Sequence, residues 1–81
     1  MGRQKLVGPA TAHIAGELRA QKARRGWTYD DLEERTGLSR STIDRALKGD
    51  TAISIEVLIP LAAGMELDLS ILIDQASEAM N

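Results

Sequence analysis

Apolar positions along the chain repeat with the spacing of α-helices. Near the end, Leu69, Leu72, Ile73 and Ala76 recur at i, i+3, i+4 and i+7, which places them on one face of a helix. No segment of useful length alternates between apolar and polar residues, as a half-buried strand would. The pattern predicts an all-α fold, a compact bundle of five short helices over residues 11–25, 28–36, 39–48, 54–63 and 68 onwards.

Capping residues set the boundaries of these helices. Thr28, Ser39, Ser54 and Asp68 are residue types that accept hydrogen bonds from the free N–H groups of a first helical turn. Glycine adopts a positive φ at no steric cost, and glycines follow the first three helices at Gly26, Gly37 and Gly49. Pro60 lies inside the fourth helix and predicts a kink or a late start there. Residues 1–9 have no periodicity, so we expect a flexible N-terminal arm ahead of a domain over 10–81.

Composition excludes several classes of function. The chain of 81 residues is long enough for one small domain, and it contains no cysteine and one histidine, His13. Disulfides, thiolate zinc sites and two-histidine metal sites are therefore excluded. No apolar run approaches the roughly 20 residues of a membrane span, so we expect a cytoplasmic protein without a membrane partner. With no phosphate-cradling glycine loop either, we expect no enzyme, no cofactor and no metal.

The charges divide the chain into two parts. All ten lysines and arginines lie within residues 1–48, together with six acids, for a net charge of +4. Residues 49–81 contain the other six acids and no base, for a net charge of −6. This asymmetry favours a polyanion-binding front half. Chance clustering on a mixed surface would produce the same pattern.

The third predicted helix is strongly two-faced. At about 100° per residue, its apolar residues Ile43, Ala46 and Leu47 fall on one side. The other side has the polar residues Arg40, Ser41, Asp44, Arg45 and Lys48. A DNA major groove admits such a helix, and arginine binds guanine O6 and N7 bidentately. Alternatively, the polar side is a solvated face joined by pairs of opposite charge four residues apart.

A helix-turn-helix layout favours the first interpretation. A short capped helix over 28–36 leads through Gly37-Leu38 into the amphipathic helix that Ser39 opens. The stretch GWTYDDLEERTGLSRSTI, residues 26–43, resembles the helix-turn-helix of the lambda-repressor-like (Xre/Cro) family, and the resemblance extends over about residues 12–75.

This resemblance implies roles for particular residues. It implies that Arg40, Ser41 and Arg45 reach base edges with Asp44 beside them, and that the contacts with phosphates come from Thr28, Tyr29, Lys48, Lys22, Arg24 and Arg25. For the last three residues, a role in solubility alone remains open. The protein would be a phage or bacterial transcriptional regulator, repressor-like, that binds double-stranded DNA.

The chain departs from the family pattern at three places. Tyr29 replaces the usual glutamine, and we expect its phenol not to brace the recognition helix as an amide does. Glu33 replaces a small residue, so we expect it to extend outward or to splay the two helices. The loop Thr51-Ala52-Ile53 contains no lysine or arginine, which predicts the loss of a phosphate clamp.

Two further interpretations concern partners. One recognition helix reads few base pairs, so specificity favours a homodimer, formed through the last helix and the apolar residues of 67–73. Burial of those residues against the first and fourth helices is the alternative. Trp27 is expected in the core between the first two helices. A second candidate function is a protein-interaction module, such as an antitoxin or anti-repressor, whose acidic half binds a basic partner.

Overall fold

The computed structural model describes residues 9–79, which form five helices and no strand. The helices are α1 (Pro9–Arg25), α2 (Tyr29–Thr36), α3 (Arg40–Lys48), α4 (Ile55–Gly64) and α5 (Leu69–Ala79). The all-α prediction is confirmed, and each helix boundary lies within about two residues of its predicted position. The predicted arm lies outside the described residues except for Pro9, which begins α1 because its fixed φ suits a first helical turn.

One core joins the helices. Leu18, Leu32, Ile43, Leu61 and Met65 are fully buried, and they come from α1, α2, α3, α4 and the turn after α4. α1 packs against α3 and α5, while α2 packs against α3 and α4. Within the described part of the chain, no helix is both long and apolar enough to cross a membrane.

Local hydrogen bonds fix the start of α2 and the turn between α2 and α3. The Thr28 hydroxyl accepts a hydrogen bond from the Asp31 N–H at 3.1 Å, and the Asp31 carboxylate accepts one from the Thr28 N–H at 2.8 Å. Gly37 ends α2 with φ 76°, the left-handed conformation that glycine adopts without strain. The Ser39 hydroxyl then accepts a hydrogen bond from the Thr42 N–H at the start of α3. The predicted caps at Thr28 and Ser39 are confirmed.

The fourth helix has nearly its predicted extent, and the alternative of a kink at Pro60 stays a prediction. α4 begins at Ile55 and continues through Pro60 to Gly64, so the late start is wrong. The carbonyl that Pro60 leaves without an intrahelical donor belongs to Glu56, which is exposed. Ser54 is at the N-cap position, but its side chain makes no capping hydrogen bond. Asp68 does cap α5, because its Oδ1 accepts hydrogen bonds from the N–H groups of Ser70 and Ile71 at 2.9 and 3.2 Å.

The apolar residues of α5 divide between core and surface. Leu72 is buried, and Leu67 and Leu69 are half-buried. Ile71 and Ile73 remain 54% and 41% exposed. Burial of the whole run is therefore wrong, whereas dimerisation through the last helix stays a prediction.

Candidate nucleic-acid interface

α3 is anchored on one side and open on the other. Ile43, Ala46 and Leu47 are at most 4% exposed, and they attach the helix to the core. The opposite side presents exposed residues to solvent, namely Arg40, Ser41, Arg45 and Lys48. The predicted two-faced helix is confirmed, and the cations of its polar face are exposed to solvent.

Glu33 stabilises the crossing of α2 and α3. Its Oε2 accepts a hydrogen bond from the backbone N–H of Arg40 at 3.0 Å, in the first turn of α3. A carboxylate is favourable at this position because the N–H groups and the helix dipole are both positive there. Glu33 therefore does not extend away into solvent but adds an acceptor to the first turn of α3 beside the Ser39 cap, and the splayed crossing stays a prediction.

Tyr29 connects the start of α2 to the middle of α3. Its hydroxyl donates a hydrogen bond to Asp44 Oδ1 at 3.1 Å, and Lys48 Nζ lies 3.1 Å from Asp44 Oδ2. The expectation that this phenol does not brace the recognition helix is therefore wrong. The long side chain of Tyr29 spans the distance between the two helices that the short side chain of Asp44 leaves. We call Lys22, Tyr29, Arg40, Asp44 and Lys48 the Tyr29 cluster.

The protonation equilibria reflect these contacts. The hydrogen bond from Lys48, followed by that from Tyr29, lowers the pKa of Asp44 below its ordinary value. Asp44 in turn raises the pKa of Lys48. Partial burial, with the hydrogen bond to Asp44, raises the pKa of Tyr29. At neutral pH the face therefore carries a charged carboxylate, a charged ammonium and a neutral phenol.

Two cations flank the ring of Tyr29. Lys22 Nζ and the Arg40 guanidinium carbon each lie 4.9 Å from the ring centroid, within the range of a cation–π contact. Arg40 also lies 3.8 Å from Asp30, a pair with both side chains largely exposed. The ring thus brings Lys22 of α1 next to the polar face of α3.

Arg19 is a functional candidate that sequence reasoning missed. Its guanidinium donates a hydrogen bond to the carbonyl of Leu47 at 2.5 Å, in the last turn of α3. With Lys22, Tyr29 and Lys48, it lines a concavity of about 280 Å³ between α1 and α3. The available signal was its position three residues before Lys22, on the same side of α1.

Arg45 borders a second concavity on the other side of α3. Thr42, Arg45 and Ala46 form one wall, and the loop over 51–54 with Val57 forms the other. Among residues 9–79, Arg45 makes no ion pair and no side-chain hydrogen bond. Its guanidinium is available to an external acceptor.

The remaining predicted phosphate contacts do not all join this face. Thr28 lies at the start of α2, where its hydroxyl oxygen caps the helix. Arg24 donates a hydrogen bond to Gln21 of its own helix. Arg25 pairs with Glu66 at 2.7 Å, in the turn after α4.

Arg25 belongs to a separate group of side chains around Trp27. The guanidiniums of Arg25 and Arg35 lie 4.8 and 4.3 Å from the Trp27 ring, and Arg35 pairs with Glu66 at 2.5 Å. We call Arg25, Trp27, Arg35 and Glu66 the Trp27 cluster. Trp27 is half-buried at the edge of the core, so its predicted core position is confirmed in part.

Comparison with known proteins agrees with this geometry. Residues 13–70, more than half of the chain, match the model of a family described as a helix-turn-helix domain. No curated protein and no solved structure matches the chain. DNA-binding helix-turn-helix domains place the second helix of the motif, here α3, in the major groove. The chain belongs to the helix-turn-helix domain family.

Proposed function

We propose that the protein binds double-stranded DNA sequence-specifically and regulates transcription, with α3 in the major groove. The observation that carries this proposal is the open polar face of α3 over a fully buried apolar one. Arg40, Ser41, Asp44 and Arg45 are the residues that would contact base edges. Such a face suits a phage or bacterial repressor-like regulator of the lambda-repressor-like (Xre) type, acting in the cytoplasm.

Phosphate contacts would come from the side of α3 that faces α1 and the start of α2. The concavity lined by Arg19, Lys22 and Lys48 places three cations and the Tyr29 phenol around one space. Thr28 adds the N-terminus of α2, where backbone N–H groups and the helix dipole favour an anion. Arg24 lies in the last turn of α1 and is the predicted phosphate contact that would extend this surface.

Binding as two copies would give the regulator a usable operator. One helix of nine residues reads few base pairs, so a palindromic or repeated site would supply the remaining specificity. Ile71 and Ile73 are exposed on α5 and would contribute apolar area to a homodimer. Light scattering of the free and DNA-bound protein measures the number of copies in each state directly.

A second candidate function is a protein-interaction module of the antitoxin or anti-repressor kind. It is favoured by four exposed isoleucines on the acidic half of the chain, namely Ile55, Ile59, Ile71 and Ile73. Residues 49–81 of this protein have a net charge of −6, and their surface would therefore bind a basic protein.

Salt dependence separates the two candidates. For a DNA complex, affinity falls as salt rises, with a log–log slope of about −0.9 for each neutralised phosphate. Lys48→Ala should weaken binding to all sequences alike and reduce the slope by about one contact. Arg45→Ala should instead reduce affinity for the selected site by about tenfold and relax the preference at particular bases.

Fluorescence anisotropy with a labelled duplex and a scrambled duplex, over a salt series, provides the measurement. Unchanged DNA binding in both variants, together with loss of a bound protein partner, would overturn the proposal in favour of the interaction module.

A further inference from the structure

Asp44 is the single carboxylate on α3, and its position is fixed from two sides. One oxygen accepts the hydrogen bond from Tyr29, and the other faces the ammonium of Lys48, each at 3.1 Å. The side chain nevertheless stays 40% exposed on the face that would enter the groove. A negative charge held in this position meets either a phosphate, which repels it, or a base edge.

The chemistry of the base edges limits what this carboxylate can accept. Guanine presents two acceptors in the major groove, and thymine presents an acceptor and a methyl group, so neither offers it a donor. Cytosine N4 and adenine N6 are the two exocyclic donors. Adenine also places its N7 acceptor beside N6, where it opposes the second carboxylate oxygen. Cytosine has no acceptor of its own at that edge, which makes it the better partner.

We propose that Asp44 is a specificity-determining residue that selects cytosine at one position of the bound duplex, and that Tyr29 is its positioning residue. This inference rests on the proposed function, because it requires α3 to lie in the major groove. A carboxylate has about four acceptor sites, and the structure occupies one on each oxygen of Asp44. The base contact therefore needs no existing hydrogen bond to break.

The structure also explains why Tyr29 can define the direction of the carboxylate. Its half-buried ring packs against the core and lies between Lys22 and Arg40, at 4.9 Å from each. The hydroxyl is thus held in place independently of Asp44. A phenylalanine at this position keeps the ring and its contacts and removes only the donor.

Selection of duplexes from a randomised pool tests the inference with three variants. For Asp44→Asn, the preference at one position should change from cytosine to adenine by about tenfold, because an amide reads adenine N6 and N7 together. Tyr29→Phe should weaken the cytosine preference at that same position and leave the others intact. Arg24→Ala is the matched control, because the hydrogen bond of Arg24 goes to Gln21 of its own helix; in this variant overall affinity should fall while cytosine remains selected.

Two results would overturn the inference. Asp44→Asn selecting the same sequence as the natural protein would show that the carboxylate reads no base. A Tyr29→Phe variant that keeps full cytosine preference would remove its positioning role. Thermal melting by circular dichroism accompanies each variant, and if Asp44→Asn does not fold, the result for Tyr29→Phe decides. Failure of the natural protein to select any sequence would instead reject the proposed function and this inference together.

Discussion

The Tyr29 and Trp27 clusters contain similar parts, but their charged groups have different partners. In each, two cations flank one aromatic ring and one carboxylate is present. In the Trp27 cluster, Glu66 binds both arginines, at 2.7 and 2.5 Å. In the Tyr29 cluster, Asp44 binds the phenol and Lys48, while the Arg40 side chain stays 63% exposed.

This difference indicates that the two clusters have separate tasks. The Trp27 cluster joins α1 and α2 to the turn after α4, and its guanidiniums are already bound within the protein. In the Tyr29 cluster, Lys48 pairs with Asp44 and Arg40 with Asp30, but both cations keep more than 60% of their side-chain surface exposed. Under the proposed function, the Trp27 cluster would serve stability and the Tyr29 cluster would serve DNA binding.

The largest effect should come from a change in backbone spacing beside the Trp27 cluster. A Cβ added at Gly64 would lie 2.7 Å from the carbonyl oxygen of Arg35 and 2.7 Å from Thr36 Cγ2. Gly64→Ala should therefore lower the free energy of unfolding by about 1–3 kcal/mol, because α2 and α4 must move apart.

Gly16→Ala is the matched control for Gly64→Ala. Its added Cβ would meet only Arg19 Nη2, at 3.8 Å, and alanine is the better helix former. Urea denaturation of both variants measures the difference. Equal stability of the two would contradict the close approach of α2 and α4.

An intermediate effect should distinguish Arg35 of the Trp27 cluster from Arg40 of the Tyr29 cluster. Arg35→Ala should lower the unfolding free energy by about 1 kcal/mol, a melting temperature shift of roughly 4–8 °C, and leave affinity for DNA unchanged. Arg40→Ala should reduce affinity for the selected duplex by about tenfold and leave the melting temperature nearly unchanged. Melting curves and anisotropy titrations on the same two samples provide both quantities. If Arg35→Ala lowered DNA affinity and Arg40→Ala did not, the Trp27 cluster and not the Tyr29 cluster would be the one that contacts DNA.

The smallest effect should appear in the pH dependence of stability. The hydrogen bond from Arg25 is the main cause that lowers the pKa of Glu66 below its ordinary value of 4.5. The stability that this carboxylate adds is therefore complete above pH 4.5 and is lost as the pH falls through its lowered pKa. Glu66→Gln should be less stable than the natural protein at pH 7, and the difference should vanish in acid. Urea denaturation between pH 7 and pH 3 checks this, and parallel curves would contradict it.

Much of the fold was predictable because its signals are local. Thr28, Gly37 and Ser39 act through hydrogen bonds and φ angles within a few residues of themselves, so residue type alone indicated the ends of α2 and α3. The two faces of α3 follow from periodicity, since its apolar residues have only one side on which to pack. The late start expected from Pro60 was wrong because the cost of its missing N–H depends on whether the freed carbonyl is exposed.

The candidate site was predictable only in part, because its contacts join residues that are distant in the chain. The residues of α3 were identified from their spacing. The bond from Tyr29 to Asp44 and the one from Arg19 to Leu47 span 15 and 28 residues. The spacing of apolar and polar residues along the chain cannot predict a hydrogen bond between residues so far apart.

The sequence alone determined that this protein is a small all-α domain with one two-faced helix after a glycine turn. Helical periodicity and capping depend on neighbouring residues, and those are given directly by the order of the chain. Only the tertiary structure decided which cations face α3 and which are bound elsewhere. Lys22 and Arg25 are three residues apart on α1, yet one lies over Tyr29 and the other over Trp27. The direction in which each helix packs sets that assignment, and it depends on the whole core at once.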